Sequence, residues 1–386
     1  MTKVRKSNLE LLRIISMMFI VMSHCDDIFG LSNLYSISLG INKIITDWLH
    51  IGGQIGVGCF LLISGYFMID QNISFKKILN LIGEVWSYTI GIWIIWIIKN
   101  VSMGDIIIKE CFIETLYAFF PVLFSHYWFV TAYVILMILS PFLNKLIFSL
   151  AHRDYGIFLG TILVIFVVLD GSVPQIDGVP KILSGMTGGR LIAVFIMYFI
   201  AGYIRRFGKI ERNNISRHLG NAIVFYFALF ATFYCFTYIG ITRDNQEILN
   251  LRYFYRVLNS PLIVIICIEL FKGFLEMDIK YNKWINEIAG CTFGVYLIHS
   301  NRLMSSWLSV IFPIYKETRP ILILLYSVVS IIVIYAVSVL IDYVRKKTIG
   351  KVWEKLLDKY ANTLKSKFAK IASYILNCFV KWIEIF

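Results

Sequence analysis

The sequence predicts an all-α, polytopic membrane protein with about ten transmembrane helices and both termini in the cytoplasm. Three observations predict it. Hydrophobic residues make up 58% of the 386 residues and charged residues 16%, with a mean hydropathy of +0.74. A soluble domain would hold about 45–50% apolar and about 25% charged residues. Apolar runs of roughly the 20 residues that cross a bilayer core recur along the chain. The basic residues alternate between segments, as the positive-inside rule requires.

The first run, 8–29, reads NLELLRIISMMFIVMSHCDD over its first twenty residues. It follows a basic start and has no small-residue cleavage site, so we read a retained first span and not a signal peptide. The second, 51–70, is rich in glycine, with Gly52, Gly53, Gly56 and Gly58 before Ile63-Ser64-Gly65-Tyr66. The third, 79–98, carries Glu84. The stretch 104–121 holds Lys109, Glu110 and Glu114, which are expensive in a bilayer core, so it is expected as an interfacial helix. The fourth span, 126–148, opens on His126-Tyr127-Trp128-Phe129. Runs at 155–170, 189–206, 219–240, 257–273, 286–312 and 319–345 complete the ten, the fifth and eighth being short. With the N-terminus inside, 25 Lys and Arg fall in inner segments and ten in outer ones. Residues 1–345 thus form the membrane domain. In the tail, 346–386, Val352, Leu356, Tyr360, Leu364, Phe368, Ile371 and Ile375 recur at helical spacing among lysines. This predicts a basic amphipathic cytoplasmic helix, seated on the inner leaflet or on the cytoplasmic loops.

The net charge of +13 is accounted for by these loops and the tail and does not imply nucleic-acid binding. The seven cysteines form no CxxC and lie mostly in apolar runs, where they act as small hydrophobes. The histidines are scattered over different spans, so no metal site is implied.

The chemistry concentrates on the first span. Arg13 and His24 are eleven residues apart, about three helical turns, which puts them on one face roughly 16 Å apart. Ionisable groups inside an apolar span are costly and mark functional sites. Arginine suits phosphate, and histidine is the usual general base near neutral pH. A cytoplasmic phosphate-bearing carrier such as coenzyme A fits this layout, with Arg13 at its phosphates and its thioester near His24. Glu84, at the depth of Arg13, is the expected partner of that arginine. The glycine-rich second span is either tight helix packing or a backbone wall beside a ligand, Ser64 included. Lys76 and Lys77 at its cytoplasmic mouth could meet phosphate or simply satisfy the topology rule. His126 could contact an acceptor sugar beside Trp128, although aromatic belts also explain the tryptophan. Tyr296 and His299 lie one turn apart in the ninth span. His299 is a second candidate for the reaction centre, or a hydrogen-bonded core histidine. Asp26 and Asp27 follow His24 and could orient it.

Arg13 and His24, the stretch ending Ile63-Ser64-Gly65-Tyr66, Tyr127-Trp128-Phe129 and Tyr296-Leu297-Ile298-His299 occur in an order that resembles acyltransferase family 3. The resemblance covers about residues 7–345. It implies an integral membrane acyltransferase of the bacterial cell membrane that uses acyl-CoA as donor, many members O-acetylating surface polysaccharides. His24 then matches the essential catalytic histidine and Arg13 its first-span partner. Many members carry an arginine pair after the second span, where this chain reads Ser74-Phe75-Lys76-Lys77-Ile78. Lysine keeps the charge and loses the bidentate fork.

The reading is an O-acetyltransferase. Its catalytic candidates are His24, Arg13 and His299, and its donor contacts Arg13, Ser64, Lys76 and Lys77. The carbohydrate acceptor falls to His126, Trp128 and Tyr296. Acetyl-CoA serves as co-substrate, without a metal. The bilayer, acyl-CoA and the carbohydrate are the expected partners, and a homo-oligomer stays open. A rival class is a transporter or flippase of a lipid-linked glycan, using the same intramembrane charges as a pathway. The absence of repeat symmetry weighs against it.

Overall fold

Helix α1 (Ser7–Ile28) packs against helices from both halves of the chain. In the computed structural model, residues 6–35, 38–71, 74–104, 107–124, 126–169, 189–252 and 257–383 are described. Lys3, Arg5, Lys181 and Arg256, counted above for topology, lie outside them, as do the side chains of Asp26, Phe368, Ile371 and Ile375.

After α1 come α2 (Ile41–Ile51), α3 (Gly53–Met68), α4 (Phe75–Met103), α5 (Ile108–Phe119), α6 (Trp128–Ser149) and α7 (His152–Leu163). Then follow α8 (Gly189–Phe207), α9 (Ile215–Thr242), α10 (Pro261–Glu276), α11 (Lys283–His299), α12 (Arg302–Ile311), α13 (Pro320–Arg345) and α14 (Lys351–Ile383). Among the described residues no strand occurs. The ends follow from local chemistry. Pro261 and Pro320 sit in the first turns of α10 and α13, where a missing N–H costs nothing. Asn282 and Asn301 cap α11 and α12 through their side-chain oxygens. Gly104 closes α4 at φ +74°, a conformation that favours glycine.

Among the described residues, seven helices are long and apolar enough to cross a membrane: Ser7–Cys25, Ile41–Met68, Phe75–Met103, Trp128–Ser149, His152–Leu169, Ile215–Thr242 and Pro320–Lys367. The chain is therefore a multi-pass membrane protein. The other predicted spans form helices too, with α8 carrying Arg190, Arg205 and Arg206, α10 having 16 residues and α11 having 17. The run 286–312 is not one helix. It breaks after His299, because Asn301 turns its side chain to the backbone N–H groups of Leu303 and Met304 and starts α12. The stretch expected as interfacial is helical as α5, yet Glu114 is buried and ion-paired with Arg302.

Helix α3 packs between α1, α8 and α10, and α11 packs on α1 and α13. The glycines make the first of these contacts possible. A Cβ at Gly56 would collide with the Ser16 carbonyl of α1. Gly56→Val is expected to cost about 1–3 kcal/mol through overpacking. The readout is the thermal midpoint of the detergent-solubilised protein, and an unchanged midpoint would contradict the close approach.

The tail is helical as α14. It continues α13 through a π turn, Lys346–Gly350, and its first turns pack on α4. Gly83 makes room for the Trp353 indole, which meets Trp86 edge-on, while Leu357 is buried. Lys76 of α4 pairs with Asp358 of the tail.

Candidate active site

The end of α1 that carries His24 opens into a cavity of about 380 Å³, here termed the histidine cavity. Its walls include His24, Asp27, His126, Tyr127, Trp128, Tyr296, His299 and Ser300. Six of the residues singled out in the sequence, His24, Asp27, His126, Trp128, Tyr296 and His299, therefore meet in one place, although they come from α1, α6, α11 and the segment before α6.

His24 and His299 are in direct contact. Their rings lie 5.1 Å apart, with His24 Nδ1 3.0 Å from His299 Nε2. The other nitrogen of His299, Nδ1, is 2.6 Å from the Val295 carbonyl oxygen, and the ring is fully buried. Because α11 stops at His299, Ser300 folds back, with its Oγ 3.1 Å from His24 Nδ1 and 3.3 Å from His299 Nε2. Asn301 supports the adjoining wall. Its amide donates to the Tyr127 hydroxyl at 2.9 Å, which in turn donates to the Leu297 carbonyl at 2.8 Å. The same amide lies 3.3 Å from His126 Nε2. His126 precedes α6, and burial lowers its pKa. Asp27 lines the cavity and faces His50 at 3.9 Å.

From His24 a narrow apolar neck of about 40 Å³ runs along α1 between Met17, Ile20, Val57, Phe60 and Phe129. It shares His24, Trp128 and Tyr296 with the histidine cavity. Arg190 lies over the Trp128 ring at 5.1 Å. Phe60, which lines the neck, carries the Arg13 guanidinium over its ring at 5.7 Å.

Arg13 does not pair with Glu84, contrary to the sequence expectation. Its Nη1 donates to both carboxylate oxygens of Glu10, at 3.1 and 2.8 Å. The reason is local: Glu10 stands one turn earlier on the same helix. Arg13 Nε is buried and has no acceptor among the described residues. Glu84 turns instead to Arg345 of α13 at 2.8 Å, within a network that includes Asp342, Tyr88 and Lys346.

That network borders a second cavity, about 440 Å³, here termed the lysine cavity. Lys77, Asn80, Glu84, Tyr133, Arg345, Lys346 and Trp353 line it. Lys77 also donates to Gln71 at 2.7 Å, whereas Lys76 is held by Asp358 and does not line the cavity. The side chains of Ser64 and Arg13 lie near the Tyr133 hydroxyl. Tyr133 stacks on Phe129 of the neck with ring centroids 5.9 Å apart. The order along the protein is therefore lysine cavity, Tyr133 with Ser64 and Arg13, neck, His24, histidine cavity.

Sequence reasoning missed Glu10, Ser300, Asn301 and Tyr127 as parts of the site. The three-residue spacing of Glu10 and Arg13 was a readable signal, as was an asparagine inside an apolar run. Among the described residues, no group of three or more His, Cys, Asp or Glu is placed to hold a metal ion.

A family model described as an acyltransferase domain matches residues 6–341. No curated protein and no solved structure matches the chain.

Proposed function

The chain belongs to acyltransferase family 3, and from that premise we propose that it moves an acyl group from a cytoplasmic acyl-CoA, foremost acetyl-CoA, to a hydroxyl of a cell-envelope polysaccharide or its lipid-linked precursor. The Arg13 end and both termini face the cytoplasm of a bacterial cell in this reading. The observation that carries it is the position of His24, which lines both the open histidine cavity and the narrow neck. A donor arriving through the neck and an acceptor arriving through the cavity meet at one imidazole.

The parts then take the following roles. Lys77 and Arg13 hold the donor's phosphate-bearing end, supported by the positive mouth to which Lys76 contributes. Ser64 lies on the donor's route beside Arg13. The neck suits a slender pantetheine arm and a two-carbon acyl group better than a long fatty chain. Trp128 and Tyr296 offer aromatic faces to a sugar ring, and His126 offers a hydrogen bond. His24 takes the proton of the acceptor hydroxyl while the hydroxyl oxygen bonds to the thioester carbonyl carbon. The carbon–sulfur bond then breaks, and the thiolate takes the proton back from His24 to leave as the free thiol. General-base assistance of this kind is worth about 10²–10⁴-fold.

The experiment is transfer of label from radiolabelled acetyl-CoA by the purified protein to an envelope polysaccharide fraction. We expect alkali-labile label on the carbohydrate and one free thiol per ester formed. Failure of the protein to bind CoA at all would overturn the donor assignment.

A further inference from the structure

We propose that His299 is a positioning residue which fixes the tautomer of His24, so that Nδ1 of His24 carries the proton and Nε2 is the base. This inference rests on the acyl-transfer reading above for its kinetic consequence, but its tautomer assignment stands on the hydrogen bonds.

The argument starts at the Val295 carbonyl. A carbonyl oxygen only accepts, so the nitrogen 2.6 Å from it, His299 Nδ1, must carry a hydrogen. A neutral imidazole has one N–H, which leaves His299 Nε2 with a lone pair. That lone pair points at His24 Nδ1 over 3.0 Å. For the contact to be a hydrogen bond, His24 Nδ1 must donate. Ser300 Oγ, 3.1 Å from the same nitrogen, offers a second acceptor to the same N–H and steadies the ring. The opposite assignment needs hydrogens on both nitrogens of His299. That is a cation with no carboxylate among its hydrogen-bond partners, at a ring with 0% exposure. Burying an unpaired charge is strongly unfavourable.

His24 Nε2 has no hydrogen-bond partner among the described residues, and the ring lines both the neck and the cavity. The fixed tautomer therefore presents a lone pair where donor and acceptor meet. When His24 takes the acceptor's proton it becomes an imidazolium, and its Nδ1–H bond to His299 strengthens as the charge develops. His299 exchanges no proton with substrate in this scheme. Its role is that of the orienting member behind a catalytic histidine, played by a second imidazole held by a backbone carbonyl.

The test uses the full-length protein labelled with ¹⁵N-histidine, with His24 assigned by its loss in His24→Gln. We expect the wild-type His24 spectrum to be that of a neutral ring protonated at Nδ1. His299→Asn keeps an amide near Val295 but cannot reach His24, so we expect kcat to fall by about 10²–10⁴-fold, the cost of a wrong tautomer. The donor KM should stay unchanged. His299→Gln places an amide oxygen near the original Nε2, and we expect its kcat within about tenfold of wild type. A wild-type His24 protonated at Nε2, or a His299→Asn variant with wild-type kcat, would overturn the proposal. If the wild-type protein transfers no acyl group, the acyltransferase reading fails, while the spectrum still decides the tautomer. If His299→Asn does not fold, the wild-type spectrum and the Gln variant decide it.

Discussion

His24→Ala is expected to reduce acyl transfer by about 10²–10⁴-fold, the range for loss of a positioned general base. The loss should fall on kcat. In the proposed pose the donor's phosphates are held near Arg13 and Lys77, three helical turns from His24, so CoA binding should survive. The fold should survive as well. His24 is part of a cavity wall, and its removal leaves His299 still bonded to the Val295 carbonyl and close to Ser300. Three measurements separate the outcomes: CoA binding, thermal unfolding in detergent, and label transfer. Intact binding and folding with lost transfer support the base. Transfer within threefold of wild type would remove His24 from the mechanism. Lost binding would instead place the donor's end against the imidazole, reversing the direction assigned to the neck.

Why His24 was legible in the sequence and its partner was not is a matter of distance along the chain. His24 and Arg13 share one helix, so the 3.6-residue period alone puts them on one face; in the structure His24 lines the neck, and Arg13 lies over the ring of Phe60, which also lines it. His299 is 275 residues from His24, and no local pattern joins them. The sequence offered it as a reaction-centre residue or as a hydrogen-bonded core histidine. The structure gives a buried ring that is hydrogen-bonded and also touches His24. The break after His299 was hidden for another reason. Hydropathy sees 286–312 as one apolar run, whereas a single asparagine able to cap a helix decides where the chain turns. That turn brings Ser300 to the histidine pair and Asn301 to Tyr127 and His126. Glu84 failed as a partner for Arg13 because similar depth in a membrane does not fix direction. It faces α13, where Arg345 is available. The helices themselves were legible because backbone in a bilayer must satisfy its own hydrogen bonds. Three of the predicted spans proved short, arginine-bearing or broken.

Arg13 is expected to show two separable effects, one on folding and one on donor affinity. Arg13→Ala leaves Glu10, a buried carboxylate, without its cation. Removing one member of a buried pair costs about 3–5 kcal/mol, because the remaining charge is uncompensated. We therefore expect a sharp fall in folded protein for Arg13→Ala, which on its own would say nothing about catalysis. The informative variant is the double Glu10→Gln, Arg13→Gln, which removes both charges and keeps polar side chains of similar length. Removing both charges together leaves no uncompensated buried charge, so this variant should fold. If Arg13 binds the donor through its unpaired Nε, the double variant should still lose at least about tenfold in CoA affinity, or 1.4 kcal/mol. Glu10→Gln alone keeps the guanidinium and should bind CoA at least as well as wild type. Arg13→Lys keeps the charge without the planar fork and should fall between the two. Wild-type CoA affinity in the folded double variant would make the Glu10–Arg13 pair a purely structural feature. Lys77 and the lysine cavity would then remain as the donor's anchor. Reduced affinity in a folded double variant would instead set the donor's reach at the spacing first visible in the sequence, eleven residues of one helix between the group that holds the carrier and the group that uses it.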